Sequence, residues 1–207
     1  ASHPLLEAVT QSILDGNHNR GVWGELPVYL FRGLVRRFLY SAVDEDGHGL
    51  PPRIPIDRDE LPLKRSLISQ VLLQLLAANQ LKALAPLATR EGCVNSIATL
   101  LGEIERAART PSELAEIITA RARDIEKGET RGVTQIDFDK EIALIYSTYT
   151  ELLNQNHFTE EDSDQLRALW VLRGMIDEHF VRVPWLANVQ LFIIDGFFDF
   201  TPVQGEI

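Results

Sequence analysis

Cysteine is almost absent from this chain of 207 residues: Cys93 is the only one, so no disulfide can form within it. A lone thiol fits a reducing, cytoplasmic setting. Within the apolar stretch Gly92-Cys93-Val94-Asn95-Ser96-Ile97 it reads either as a small core residue or as a reactive group. No apolar run approaches the roughly 18 residues that a membrane-spanning helix needs, so no membrane partner is expected. The N-terminus, Ala1-Ser2-His3-Pro4, has no basic segment leading into an apolar core, which argues against a secretory signal. No Met opens it either, as expected of a piece cut from a longer polypeptide. The histidines His3, His18, His48, His157 and His179 are scattered without metal-ligand spacing, which argues against a zinc site. Also missing is the Gly-x-x-x-x-Gly-Lys-Ser/Thr loop that cradles nucleotide phosphates, so the chain is expected to hold no cofactor of its own.

What is present is the balance of an ordinary globular protein. Hydrophobic residues make up 45% and charged residues 24%, enough to bury a sizeable core. The formal net charge of −10 opposes nucleic-acid binding unless basic groups gather on one face. One such gathering exists, Arg32, Arg36 and Arg37, with Arg32 and Arg36 one helical turn apart. It reads equally as a solvated helix face or as a set of phosphate contacts.

Helical periodicity dominates the chain. Leu26-Pro27 opens a segment bearing Leu30, Phe31, Leu34, Val35, Phe38 and Leu39, the stripe of an amphipathic helix with proline tolerated in its first turn. Asp44 to Pro62 reads as a Gly- and Pro-rich loop. A helix is expected from about Leu63 to Ala88, with Ile68, Val71, Leu72 and Leu75 on one side, and another from Glu91 to Arg109. Thr110-Pro111-Ser112-Glu113 is a helix start with a capping box, leading to Leu114, Ile117 and Ile118 before Lys127–Gly132 interrupts. Asp137 to Asn154 carries Ile142, Ile145, Tyr146, Tyr149 and Leu153. Thr159-Glu160-Glu161-Asp162 is expected to cap the last long helix, with Leu166, Leu169 and Trp170. All these stripes read as core faces.

The character changes at Val189-Gln190-Leu191-Phe192-Ile193-Ile194, a β-rich apolar run bounded by Pro184 and Asp195-Gly196. It suits a strand buried on both faces of a parallel sheet. No companion strands are evident upstream, and a lone buried strand cannot pair its backbone groups. Its partners are therefore expected outside these residues. Apolar residues ending in Asp195 form a Walker-B-like pattern, in which the aspartate holds Mg²⁺ beside nucleotide phosphates.

The run Asp195-Gly196-Phe197-Phe198-Asp199-Phe200-Thr201-Pro202-Val203-Gln204 resembles motif II of the UvrD/Rep superfamily of DNA helicases, Asp-Glu-Phe-Gln-Asp-Thr-Asn-x-x-Gln. Asp195, Phe197, Asp199 and Gln204 fall on matching positions, Gly196 stands where the catalytic Glu would be, and Phe198 replaces the first Gln. Asp-Gly-Phe followed by Phe-Thr-Pro is similar to the AddB-type subunit of bacterial helicase–nuclease complexes. Ile68-Ser69-Gln70-Val71, Glu91-Gly92-Cys93-Val94, Leu101-Gly102-Glu103-Ile104 and Lys140-Glu141-Ile142-Ala143-Leu144-Ile145-Tyr146 with Tyr149 resemble the helical segments before this strand in such proteins. The resemblance covers roughly residues 65–207.

It implies a mainly α chain: a multi-helix insertion domain, residues 1–188, of a RecA-like helicase core, with residues 189–207 returning to that α/β core as one strand and a degenerate motif II. Asp195, Asp199 and Gln204 become the candidate nucleotide and Mg²⁺ residues, and Arg32, Arg36 and Arg37 the candidate DNA contacts. ATP and Mg²⁺ belong to the parent protein, and the implied partners are DNA and a helicase or nuclease subunit. Without the Glu to polarise water, hydrolysis is expected to fail. The alternative reading is a self-contained helical interaction or regulatory module, with Asp195-Gly196 only a turn after an edge strand.

Overall fold

The computed structural model describes residues 3–16, 28–56, 63–126, 133–176, 179–195 and 199–207. Pro27 and the 127–132 interruption fall outside them. Among the described residues the fold is mainly helical: α1 (His3–Gly16), α2 (Phe31–Ser41), α3 (Leu63–Ala77), α4 (Glu91–Arg106), α5 (Pro111–Glu126), α6 (Val133–Gln155), α7 (Glu161–Leu172) and the short α8 (Pro202–Glu206). None of these is long and apolar enough to cross a membrane. Among the described residues strands are limited to two-residue pieces, β1 (Ile54–Pro55), β2 (Phe158–Thr159), β3 (Met175–Ile176) and β4 (His179–Phe180). The chain divides into two compact units, one of residues 51–166 with 201–206, the other of residues 1–50, 167–200 and 207.

In the first unit α6 is the central helix, packed against α3, α5 and β2. Ile142, Ile145, Tyr146, Tyr149 and Leu153 recur at helical spacing and are buried together with Ile68, Val71, Leu72 and Leu75 of α3 and Val94, Ile97 and Leu101 of α4. Here the period-3.6 stripes read from the sequence are the core faces. The capping box before α5 also forms: the Thr110 N–H donates to Glu113 Oε2 at 2.8 Å, and the Glu113 N–H to Thr110 Oγ1 at 3.2 Å.

α3 stops earlier than its composition suggests. Instead of running to Ala88 it ends at Ala77, where Asn79 takes the left-handed conformation (φ 54°). The Gln80 N–H reaches back to the Leu75 carbonyl and the Asn79 N–H to that of Leu76, the paired bonds of a Schellman ending. The following segment folds back and buries Leu81, Leu84 and Ala88. Its backbone N–H groups at Lys82, Ala83 and Leu84 all donate to the Glu141 carboxylate of α6, at 2.6, 2.8 and 2.9 Å. Local propensity favours one long helix, and this tertiary acceptor overrides it.

β1 and β2 pair in parallel, with Ile54 opposite Phe158 and Pro55 opposite Thr159. The N–H groups of Ile54 and Ile56 donate to His157 and Thr159, so Pro55, which has no N–H, sits where none is needed. β1 lies inside the stretch expected to be loop throughout. Two residues are too few for a period-2 pattern to register in a sequence.

The second unit centres on Val35, Phe38 and Leu39 of α2, Ala168 and Val171 of α7, and Ile176, Val181 and Val183. Gly174, at φ 85°, ends α7 and opens the antiparallel β3–β4 hairpin. Val43 bridges both Gly49 and Arg182, closing the Asp44–His48 turn. α1 was not evident from the sequence.

The Glu141 contact gives a direct test. Glu141→Ala leaves three backbone donors without their acceptor and is expected to destabilise the chain by about 2–4 kcal/mol. Urea denaturation checks this; a loss within about 0.5 kcal/mol would mean that water replaces the carboxylate.

Candidate functional site

The motif-II-like segment follows a 3-10 turn, Pro184–Asn188, and begins extended at Val189 (φ −86°, ψ 121°). Among the described residues no strand is assigned between 189 and 195. Leu191 is 75% exposed, Ile193 81% and Ile194 64%. The expected buried strand is thus an unpaired, solvated segment here, because without companion strands only water can satisfy its backbone. Asp195 and Asp199 are exposed, and Gly196, Phe197 and Phe198 lie outside the described residues.

Gln204 has a defined local task. Its N–H donates to Thr201 Oγ1 at 3.4 Å, and the Thr201 N–H donates to Gln204 Oε1 at 3.2 Å. This capping box starts α8, with Pro202 at the first helical position and Val203 fully buried behind it. Asp195 and Asp199 belong to one compact unit and Gln204 to the other.

Of the three arginines, Arg32 is exposed and Arg36 and Arg37 are half-buried on α2, a helix without an acidic residue. The Arg37 guanidinium lies 6.0 Å from the Trp185 ring centroid. Trp185 stacks on Phe38 (5.6 Å, 7° between planes), meets Phe192 at 6.3 Å, and donates its Nε1–H to Ser41 Oγ at 2.7 Å. Trp185 therefore links Arg37 to the apolar run before Asp195, two features that look independent in the sequence. A cation over an aromatic face contributes roughly 0.5–1 kcal/mol at such a partly exposed site.

A second cluster, buried in the unit built around α6, was not singled out from the sequence. Glu160, just before α7, accepts the Lys64 ammonium at 2.7 Å and the Tyr149 hydroxyl at 2.5 Å. Arg106 of α4 pairs with Asp162 of α7 at 2.6 Å, in space left open by Gly102, where a Cβ would stand 2.9 Å from Asp162 Oδ2. Glu105 lies beside them, 3% exposed, and its Oε2 has no hydrogen-bond partner. Burial pushes the Glu105 carboxyl up to about 8, with the Glu160 charge adding to it. Burial, and then Glu160, likewise holds the Tyr149 phenol above its usual range, keeping it a donor. One signal was available. The α4 stripe Val94, Ile97, Leu101 continues at i+4 to Glu105, an acid on a core face. The Glu160 side chain, expected among the capping residues, is turned inward, and Ser163 Oγ accepts the Glu160 N–H instead at 2.9 Å.

Among the described residues no three His, Cys, Asp or Glu side chains are gathered where they could hold a metal ion. An open groove of about 940 Å³ lies along α3 and the start of α4, lined by Arg65, Ser69, Gln70, Gln74 and Asn95; none of the candidate nucleotide or DNA residues lines it. Asp195 is exposed, and Gln204 is engaged in capping α8.

A mainly helical chain closing on a motif-II-like segment defines the class. The family model described as ADDB, N-terminal, matches residues 64–207, more than half of the chain, and the protein belongs to this AddB family. Comparisons with curated proteins and with solved structures gave no match.

The exposure of the apolar run is testable. Ile193→Lys is expected to change stability by no more than about 0.5 kcal/mol, as for other exposed positions, and to reduce self-association in light scattering by placing a charge in an apolar tract. A loss of several kcal/mol would mean that the run is packed in a core.

Proposed function

We propose that this chain is the helical N-terminal portion of a non-catalytic, helicase-like subunit that takes part in processing DNA ends for repair. The observation that carries this reading is the family match through residues 64–207, closing on Asp195-Gly196-Phe197. The role is architectural. The helices guide DNA and dock a partner motor or nuclease, while Leu191–Ile194 adds a strand to a parallel sheet supplied by the rest of the parent. ATP and Mg²⁺ act elsewhere in the assembly, because Gly196 has no side chain with which to polarise water.

The Thr201–Gln204 capping box favours a second reading, a self-contained helical interaction module in which these residues are structural only. The gene upstream of Ala1 discriminates between the two. A phosphate loop or its remnant belongs to the first reading.

Two measurements on the chain test the proposal. Gly196→Glu is expected to show no magnesium-dependent ATP turnover above an Asp195→Ala control, since a side chain alone supplies neither a phosphate cradle nor a sheet. Turnover would overturn the non-catalytic assignment. For DNA, a labelled oligonucleotide is expected to bind weakly at low salt and not at physiological salt, given the net charge of −10. Arg32→Glu with Arg36→Glu should abolish the low-salt signal. Binding indifferent to the double change would clear α2 of this role.

A further inference from the structure

Beyond its place in a DNA-processing subunit, the chain contains a polar junction whose chemistry calls for a proton. We infer that Glu105 acts as a proton-held latch: a neutral carboxylic acid where α4 meets the start of α7, whose ionisation loosens that junction.

Glu105 is 3% exposed, and its Oε2 is buried without a hydrogen-bond partner among the described residues. A carboxylate in that position would be a buried charge with an unsatisfied oxygen, among the costliest arrangements in a protein interior. The groups facing it do not neutralise it. α3 brings Lys64, but Glu160 holds that ammonium at 2.7 Å. α4 brings Arg106, which is held by Asp162 at 2.6 Å. α6 brings Tyr146 and Tyr149, whose protons go to the Arg109 carbonyl and to Glu160. The segment leading into α7 brings Glu160 and the first turn of α7 brings Asp162, both repelling a second negative charge. α8 also packs on α4, and its one ionisable group, Glu206, is exposed. Both nearby cations are thus committed to other carboxylates, and Glu105 is the supernumerary acid.

Its ionisation point, moved up to about 8 by burial first and Glu160 second, agrees with this arrangement. The sign follows from linkage. In the unfolded chain Glu105 ionises in the ordinary carboxylate range, near 4.5, whereas in the folded chain it keeps its proton to about 8. Between those values the folded state binds more protons, so the contribution is fully present below the unfolded value, declines as pH rises, and is lost as pH passes the folded one. The latch is closed in mild acid and released in mild base.

The test uses the whole chain. Urea denaturation at pH 5.5 and 8.5 compares the wild type with Glu105→Gln, which keeps the shape and cannot ionise. The folded-to-unfolded ratio of the wild type is expected to fall between these pH values on the order of a hundredfold more than that of Glu105→Gln. Equal falls in both proteins would overturn the proposal. Should Glu105→Gln fail to fold, carbon-13 NMR of the glutamate-labelled wild type decides: one carboxyl titrating near 8 sustains the latch, and all carboxyls titrating below 6 removes it.

Discussion

Three backbone N–H groups converging on one carboxylate hold the first unit together. Lys82, Ala83 and Leu84 donate to Glu141, and this contact lets the chain leave α3 early, turn back and bury Leu81, Leu84 and Ala88 against α6. Without that acceptor the Leu84 N–H would be buried and unsatisfied and those of Lys82 and Ala83 partly so, and one longer helix would be the cheaper arrangement. Glu141 can serve because α6 is already fixed by Ile145, Tyr146 and Tyr149, all nearly inaccessible.

α4 then carries the consequences to the polar junction. Its apolar stripe runs from Val94 through Ile97 and Leu101 and meets Glu105 at the next turn. On an isolated amphipathic helix that position would take another Leu. Here Gly102 makes room for the Arg106–Asp162 pair, and Glu160 gathers Lys64 and Tyr149, so ionic contacts replace apolar ones at this end of the core. Buried pairs of this kind add little net stability over apolar packing, but removing one partner is costly. They tie α3, α4, α6 and the start of α7 to one arrangement.

The family assignment and the local structure weigh differently on the C-terminal motif. Membership in the AddB family rests on the family-model match over residues 64–207. Its closing residues are divided between tasks: Asp195 and Asp199 are exposed, while Gln204 caps α8 and Val203 anchors it. Some residues at this motif-like spacing have local structural work. The Thr201-Pro202-Val203-Gln204 turn is such a case, since a capping box requires Thr and Gln three residues apart whatever the motif's origin.

Local physics made much of the fold legible in the sequence. The stripes of α2, α3, α4, α6 and α7 are long enough for a 3.6-residue period to emerge, and Thr110 with Glu113 contains a complete helix start within a few residues. The resemblance at 195–204 was drawn from spacing along the chain alone. What tertiary structure alone decided are the contacts between residues far apart in sequence. The end of α3 is set by Glu141 across 57 to 59 residues. The two-residue pairing of β1 with β2 brings together positions too short to show any pattern of their own. The Glu105–Glu160–Lys64 cluster joins α3, α4 and the start of α7, and of its members only Glu105, an acid on an apolar stripe, stands out along the chain. Trp185 joins Arg37 to Phe192. Periodicity reports which face of an element is apolar. It carries no information about which distant polar group that face will meet, and in this protein those meetings determine where helices stop and which acids keep their protons.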